Sequence, residues 1–238
     1  MLDFDVRALA VLDCLESCGY QAFLVGGCVR DSLRNVEIHD YDITTSALPQ
    51  QILKFFSDYP VVETGIRHGT VTVLWEGLPV EVTTYRVDGE YADGRHPDEV
   101  RFTPSLEEDL ARRDFTINAM AFSPSRGFYD PFGGREDLSR EILRCVGEPR
   151  RRFSEDGLRI LRGLRFAAVT GFTLEKETRR ALIDLRDGLR KVSAERIREE
   201  FVKLLCGKNA AAVLREFPQV IGGFLPEILP TVGFDQRN

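Results

Sequence analysis

Apolar and β-branched runs alternate with helical patterns in the first half of the chain. Apolar residues at helical spacing predict a helix from Val6 to Cys18, ended by Gly19. The run QAFLV at 21–25 predicts a buried strand, and HDYDITTSA at 39–47 predicts a second strand over residues 40–44. These elements predict an α/β or α+β fold.

Three more β-rich runs follow a predicted helix that has Ser46 as its cap and Pro49 in its first turn. The runs are VVETG, TVTVLW and LPVEVTTYR, separated by turns that contain glycine. Residues 87–104 are polar, charged and rich in turn formers, which indicates either a functional loop or a mobile one.

After about residue 139 the β pattern disappears and helical patterns replace it. The pattern predicts a helix over 154–170 with Ser154 as its cap, and further helices over 175–185 and 193–205. We therefore place a domain boundary near residue 139.

The composition is that of an ordinary soluble protein, with 43% hydrophobic and 29% charged residues. No apolar run approaches the ~18 residues of a membrane span, and MLDFDVRALA does not resemble a secretory signal. We expect a cytoplasmic protein without a membrane partner. The five cysteines form no CxxC pair and the three histidines complete no zinc set, so reduced thiols are expected.

The net charge of −6 hides an uneven distribution. Residues 1–139 hold 24 acidic and 12 basic residues, whereas residues 140–203 hold 11 and 17. An acidic half followed by an arginine-rich helical segment indicates a basic surface for nucleic acid, although a solvated helix surface gives the same pattern.

The stretch DYD places Asp40 and Asp42 one residue apart on the predicted second strand. Side chains at i and i+2 share one face of a strand, and two ionised carboxylates at such a distance repel each other unless solvent or a cation separates them. Magnesium takes hard oxygen ligands, and Glu81 in PVEVTTYR is a candidate third acid. The alternative is a pair of acids on an exposed strand edge.

The segment FLVGGCVRD lies directly before the aspartates. Gly26 and Gly27 allow a phosphate to approach the backbone, and Arg30 on the following predicted helix can reach the same phosphates. The pattern is neither GxGxxG nor GxxxxGK[ST], which disfavours a dinucleotide-binding oxidoreductase and a P-loop protein. A nucleoside triphosphate with magnesium fits this order of motifs.

A further candidate is RRDFTINAMAF at 112–122. Arg113 can hold a triphosphate, and Asp114 and Asn118 can bond ribose hydroxyls. A charged helix start is the structural alternative.

The segment SEDGLRILRGLRF carries four charged residues at steps of three: Asp156, Arg159, Arg162 and Arg165. On a helix, Asp156 and Arg159 share a face and offer an acceptor beside donors. Cytosine and adenine both present an exocyclic amine beside a ring acceptor, whereas guanine and uracil present the opposite pattern, so this pair can select C and A. The alternative is a surface ion pair worth a few tenths of a kcal/mol.

With these motifs the chain resembles the bacterial class II tRNA nucleotidyltransferases, the group of CCA-adding enzymes and poly(A) polymerases. The resemblance rests on GGCVRD with DYD, EVTTYR, RRDFTINA, EDGLRILR and SAERIREEFVKLL, in this order. It implies an α+β fold, in which a polymerase-β-like nucleotidyltransferase head with a mixed sheet and helices (1–139) precedes an all-helical neck (140–205) and the start of a helical body (206–238).

The resemblance also implies roles for individual residues. Asp40 and Asp42 are expected to bind the catalytic metals, here Mg²⁺, while Gly27, Arg30 and Arg113 contact the nucleotide. Asp156 and Arg159 are expected to act as an amino-acid template for CTP and ATP, with Arg162 and Arg165 nearby. The implied reaction is in-line transfer to the tRNA 3′ end with release of pyrophosphate.

Family members of this kind usually continue well beyond this length, and the expected histidine-rich motif does not arrive, so we expect a truncated chain. The segment DGEYADGRHPDEVRF is intact, which disfavours an enzyme that adds only CC. Poly(A) polymerase and A-adding activity stay open as alternatives, as does a catalytically idle RNA-binding relative.

Overall fold

The computed structural model describes residues 2–89 and 100–233, which fall into two compact units. The first unit comprises residues 2–89 and 100–138, and the second comprises 139–233. Residues 90–99 of the predicted loop lie outside the described residues, so the expectation drawn from its intact sequence stays a prediction.

A mixed sheet is the framework of the first unit. Its strands are β1 (Ala22–Val25), β2 (Tyr41–Thr45), β3 (Val61–Val62), β4 (Thr70–Trp75), β5 (Leu78–Thr84), β6 (Arg86–Asp88), β7 (Val100–Phe102), β8 (Ala121–Ser123) and β9 (Gly127–Tyr129). Seven of these described strands form one sheet in the order β3-β4-β5-β2-β1-β8-β9. Strands β2 and β5 are parallel, and the other neighbours are antiparallel.

The remaining strands, β6 and β7, pair with each other as an antiparallel ribbon. The prediction of a loop over 87–104 is therefore wrong at both of its ends. Each strand has only three residues, which is too short to show a clear alternation of apolar and polar positions.

The two faces of the sheet differ in chemistry because side chains alternate along a strand. Tyr41 and Ile43 of β2 lie with Val80 and Val82 of β5 in the hydrophobic core. The opposite face carries Asp42 and Thr44, together with their partners in β5. A shift of one residue in register would turn these polar side chains toward the hydrophobic core, so the apolar residues determine the side of the sheet on which Asp42 lies.

The helices of the first unit pack around this framework. They are α1 (Val6–Ser17), α2 (Gly27–Leu33), α3 (Pro49–Phe55), α4 (Leu106–Ala111) and α5 (Gly134–Ser139). Helix α1 buries Ala8, Val11, Leu12 and Leu15, which recur at helical spacing. The predicted cap Ser46 is wrong, because its hydroxyl accepts a hydrogen bond from the Gln21 backbone N–H while α3 begins after Leu48.

The second unit is mostly helical. Its elements are β10 (Ile142–Leu143), α6 (Pro149–Glu155), α7 (Leu158–Thr170), β11 (Thr173–Leu174), α8 (Lys176–Asp184), α9 (Ala194–Leu205), α10 (Ala210–Glu216) and α11 (Pro218–Ile221). Strands β10 and β11 pair in parallel, so the expectation that β structure ends near residue 139 is wrong at this point. Two-residue strands are too short to produce a period.

The predicted helix over 154–170 is two helices. Helix α6 begins at Pro149, where the Glu148 carboxylate caps it by accepting hydrogen bonds from the next backbone N–H groups, and Ser154 lies inside it. The chain becomes extended at Asp156 (φ −142°, ψ 108°) before α7 begins. Gly157 is needed there, because a Cβ at this position would lie 2.6 Å from the Gly188 carbonyl oxygen.

All five cysteines are free, as predicted. Across residues 2–89 and 100–233, no helix has both the length and the apolar character that a bilayer span requires.

The central strand β1 generates a prediction about stability. Leu24 is fully buried between β2 and β8, so Leu24→Ala should lower the free energy of unfolding by about 2–5 kcal/mol. Val36→Ala, at a position 47% exposed, should change it by less than about 0.5 kcal/mol. Urea unfolding of the variants would measure both, and equal losses would contradict the assignment of the core.

Candidate active site

Three carboxylates gather on the polar face of the sheet. Asp42 on β2 is the register partner of Glu81 on the parallel strand β5, so their side chains share a face. Asp40 precedes β2, which begins at Tyr41 rather than at residue 40, and Asp40 is exposed. The sequence prediction that strand alternation alone aligns the two aspartates is therefore wrong, although electrostatics still couples them.

The coupling is visible in the pKa values of Asp42 and Glu81. Burial raises the pKa of Asp42, Arg113 lowers it in part, and Asp40 raises it further. Burial also raises the pKa of Glu81, as do the charges of Asp42 and Asp40. The Asp42 carboxylate accepts no hydrogen bond from any of the described residues. Its negative charge is therefore available to a cation.

This donor set fits a metal ion that is shared with a substrate. Within residues 2–89 and 100–233, no three His, Cys, Asp or Glu residues converge closely enough to enclose an ion. Mg²⁺ is usually bound by one or two carboxylates together with waters and substrate phosphates, so Asp40 and Asp42 can hold it without a complete protein cage.

Gly26 brings the backbone next to these carboxylates. It has a φ of +72°, which favours glycine. A Cβ placed on it would lie 3.0 Å from Arg113 Nη1 and 3.5 Å from Asp42 Oδ2. Arg113 and Asp42 thus flank the same glycine, and the absent side chain leaves room for a ligand beside both.

A partly buried chain of hydrogen bonds fixes Arg30. The Arg30 guanidinium donates to both Asp31 carboxylate oxygens, at 2.9 and 2.7 Å, and to Asn118 Oδ1 at 2.6 Å. The Asn118 amide donates in turn to Asp114 Oδ1 at 3.0 Å. The glycine-turn motif and the RRDFTINA motif therefore meet in the first unit. The ribose-binding role of Asp114 and Asn118 stays a prediction.

Asp109 is a residue that sequence reasoning missed. It is fully buried on α4, and its carboxylate accepts hydrogen bonds from Thr44 Oγ1 (2.9 Å), Arg112 Nε (3.0 Å) and the Arg86 backbone N–H (3.2 Å). Arg113 Nη2 lies 3.7 Å from it. Burial acts to raise the pKa of Asp109, but Arg112 and Arg113 outweigh it, so the pKa lies below the ordinary value.

In the second unit, Asp156 is held by an arginine of another helix. Arg196 on α9 donates to Asp156 Oδ2 at 2.8 Å, and the Leu158 backbone N–H donates to Asp156 Oδ1 at 3.0 Å. Because Asp156 lies in the break between α6 and α7, the prediction that it shares a helical face with Arg159 is wrong. A carboxylate that bonds a nearby backbone N–H competes with the helix at this point.

The Arg159 guanidinium is held by groups that precede it in the chain. It is 8% exposed, and its Nη1 donates to Glu155 Oε2 at 2.6 Å and to the Arg152 carbonyl oxygen at 3.1 Å. These contacts restrict the guanidinium to one direction, which is the property a base-reading group requires.

The two remaining arginines of the row share one acid. Arg165 Nε donates to Glu200 Oε2 at 2.5 Å, and Arg162 Nη1 lies 3.6 Å from Glu200 Oε1. The Arg165 guanidinium also lies 4.0 Å from the centroid of the Phe166 ring. Arg196 and Glu200 are four residues apart on α9, a spacing that is visible in SAERIREEF and could have indicated a helix face that contacts this row.

The fold of the first unit is that of a nucleotidyltransferase head, with carboxylates on neighbouring strands of a mixed sheet. Residues 22–144 match the family described as Poly A polymerase head domain, and the chain belongs to this family. Residues 171–221 match a second family model, described as probable RNA and SrmB-binding site of polymerase A.

Similar proteins are named as CCA-adding enzymes. The one from Lactobacillus helveticus is 47% identical over 90% of this chain and 53% of its own length, and the one from Bacillus velezensis is 46% identical over 98% and 58%. The crystal structure of the Bacillus stearothermophilus CCA-adding enzyme in complex with CTP matches with a TM-score of 0.81 and 43% identity, over 88% of this chain and 50% of that one. The chain therefore spans about half the length of these relatives.

The lowered pKa of Asp109 generates a prediction about pH dependence. A carboxylate whose pKa falls on folding stabilises the folded state above its unfolded pKa, and this contribution is lost as the pH falls through the folded value. Asp109→Asn should therefore lower the free energy of unfolding by about 1–3 kcal/mol at pH 7 and by less in acid.

Urea unfolding at several pH values, down to the lowest at which the parent chain stays folded, would measure this difference. Asp13→Asn, at an exposed position on α1, is the control and should change the free energy by less than about 0.5 kcal/mol. A loss from Asp109→Asn that is independent of pH would contradict the electrostatic role.

Proposed function

We propose that this chain is the catalytic and nucleotide-selecting part of a CCA tRNA nucleotidyltransferase. It would add CMP and AMP from CTP and ATP to the 3′ end of tRNA without a nucleic-acid template and release pyrophosphate. The observation that carries this proposal is the pair of carboxylates, Asp42 and Glu81, in register on parallel strands, with no hydrogen-bond donor to Asp42 among the described residues.

The comparisons support the same substrates. Similar solved structures are CCA-adding enzymes in complex with CTP, with ATP and with tRNA. The structures with ATP and with tRNA match this chain with TM-scores of 0.75 and 0.76, each at 27% identity. We assign residues 1–139 as the nucleotidyltransferase head, 140–205 as the neck that selects nucleotides and binds RNA, and 206–238 as the start of a helical body. A cytoplasmic location agrees with this function.

The triphosphate is assigned to the first unit. Asp40 and Asp42 would hold Mg²⁺, with Glu81 contributing negative charge beside them. The chemistry that Mg²⁺ supplies at such carboxylates is polarisation of the phosphate and activation of the attacking hydroxyl. Arg113, beside Gly26, donates to the phosphate oxygens.

Arg30 supplies a second cationic group near the glycine pair. A Cβ on Gly27 would lie 3.7 Å from Arg30 Nη2, so this guanidinium lies next to the backbone that the phosphates approach. Asp114 and Asn118 hold Arg30 in place through their hydrogen bonds, and we assign the ribose hydroxyls to the same two residues.

Base selection is assigned to the second unit. Asp156 provides an acceptor and Arg159 provides donors, the pattern that matches cytosine and adenine but opposes guanine and uracil. The contacts of Asp156 with Arg196 and of Arg159 with Glu155 orient both groups before a nucleotide arrives. Arg162 and Arg165 extend the same row of positive charge.

Poly(A) polymerase is the second candidate, favoured by the description of the family model that matches residues 22–144. Nucleotide selection separates the two functions. Binding of both CTP and ATP supports CCA addition, whereas binding of ATP alone supports poly(A) or A addition.

Asp42→Asn should abolish nucleotide addition, with a loss of at least about a hundredfold, because a charged ligand of the metal is removed. The fold should be kept, since the repulsion among the three carboxylates falls. Transfer of labelled CMP and AMP to tRNA that lacks its 3′ end measures activity, and Mn²⁺ titration followed by electron paramagnetic resonance measures metal binding. Asp58→Asn, at an exposed position, is the control, and unchanged Mn²⁺ binding in Asp42→Asn would refute the metal role.

Arg159→Ala should reduce discrimination against UTP and GTP by about tenfold, while the affinity for the triphosphate moiety changes less. Calorimetric titration of the four nucleoside triphosphates with Mg²⁺ into the parent chain and the variant measures both quantities. Arg180→Ala, at a side chain 70% exposed on α8, serves as the control for loss of an arginine. Selectivity that survives in Arg159→Ala would exclude a base-reading role for this residue.

A further inference from the structure

Asp109 is a fully buried acid with several partners in the first unit, and it lies outside the residues assigned to substrate. Its Oδ2 accepts from Thr44 and lies near Arg113, and its Oδ1 accepts from Arg112 and from the backbone N–H of Arg86. One buried carboxylate therefore contacts the strand that carries Asp42, the first residue of the β6–β7 ribbon, and both arginines that follow α4.

Arg113 lies between two acids of the first unit. Its Nη2 is 3.7 Å from Asp109 Oδ2, and its Nη1 borders the space beside Gly26, which Asp42 Oδ2 also borders. The charge of Arg113 reaches Asp42, since it lowers the pKa of that carboxyl. Nevertheless, no hydrogen bond joins Arg113 to the Asp42 carboxylate in the described residues.

The Arg113 guanidinium also keeps unused donors. Its Nε is buried and has no hydrogen-bond partner within residues 2–89 and 100–233. A buried donor without a partner carries a desolvation cost, so an arginine in this state is drawn to any nearby anion. Asp109 and Asp42 are both close enough for the charge of Arg113 to lower their pKa, and contact with Asp42 would occupy the oxygens that a metal requires.

We propose that Asp109 is the positioning residue that holds Arg113 away from Asp42, so that Asp42 stays free for the metal while Arg113 stays aimed at the triphosphate. This inference rests on the proposed function. The hydrogen bond from Thr44 fixes the position of Asp109 relative to Asp42, because Thr44 lies two residues from Asp42 on the same strand and face. The distance between Arg113 and Asp42 is thus set by a single buried carboxylate.

A purely structural role for Asp109 predicts a different outcome. A structural anchor would lower stability and affect nucleotide binding only through the fraction of folded chain, independently of Arg113. A positioning residue acts through Arg113, so its effect on binding disappears when Arg113 is removed. A double-mutant cycle separates the two roles.

The experiment measures the dissociation constant of ATP with Mg²⁺ by calorimetry for the parent chain, Asp109→Asn, Arg113→Gln and the double variant. We expect Asp109→Asn to weaken ATP binding by about tenfold, and the same change in the Arg113→Gln background to weaken it by less than about twofold. Circular dichroism and thermal unfolding confirm that each variant is folded at the temperature of the titration.

A matched pair of threonine variants keeps the test valid if Asp109→Asn fails to fold. Thr44→Val removes the hydroxyl that donates to Asp109, whereas Thr84→Val removes an equally buried hydroxyl that donates to the Ala47 carbonyl oxygen. Thr44→Val should weaken ATP binding by about threefold and Thr84→Val should leave it unchanged.

Additive effects of Asp109→Asn and Arg113→Gln, or equal effects of the two threonine variants, would overturn the positioning role while leaving the proposed function intact. A parent chain that binds none of the nucleoside triphosphates would overturn the proposed function, and this inference with it.

Discussion

The repulsion among Asp40, Asp42 and Glu81 is the constraint on which the first unit depends. The parallel pairing of β2 with β5 places Asp42 opposite Glu81, and the apolar residues on the other face of both strands prevent a change of register. The same packing that stabilises the sheet therefore holds like charges together. Folding alone does not relieve this cost, whereas a cation bound beside these carboxylates would.

In the second unit, acidic residues orient several arginines of a positively charged helical segment. Glu200 is 6% exposed and contacts both Arg162 and Arg165, and Glu155 contacts Arg159. Glu200 contacts one arginine with each of its oxygens, and Glu155 contacts Arg159 through Oε2, so each contact restricts a guanidinium that would otherwise sample many rotamers. The gain lies in orientation more than in stability, since the burial of such charges offsets much of the attraction between them.

The sequence predicts those helices and strands whose apolar residues recur with a clear period. It also predicts candidate site residues where an uncommon pair, such as two aspartates on a strand or two glycines after one, stands out. Helix α1 and strands β1, β4 and β5 follow directly from apolar spacing, and the aspartate pair and the glycine pair are recognisable by residue type. The break at Asp156 was missed because a helical period continues through it, and it depends on the close approach of Gly157 to Gly188, which are 31 positions apart in sequence. Sequence reasoning missed Asp109, Arg196 and Glu200, because charged residues on an amphipathic helix are usually exposed to solvent. Their burial and contacts are visible only in the structure.

Asp42 and Asp109 show how the surroundings decide what a carboxylate does. Both are aspartates of the first unit, and burial acts on both to raise the pKa. The Asp109 carboxylate accepts three hydrogen bonds and lies near a fourth donor, so its pKa falls and its charge is stabilised within the fold. Asp42 has no such donors among the described residues, so its pKa rises and its charge is left for a ligand from outside the chain. Because the charge of Arg113 lowers the pKa of both carboxyls, its position relative to them determines how far the protein itself stabilises each negative charge.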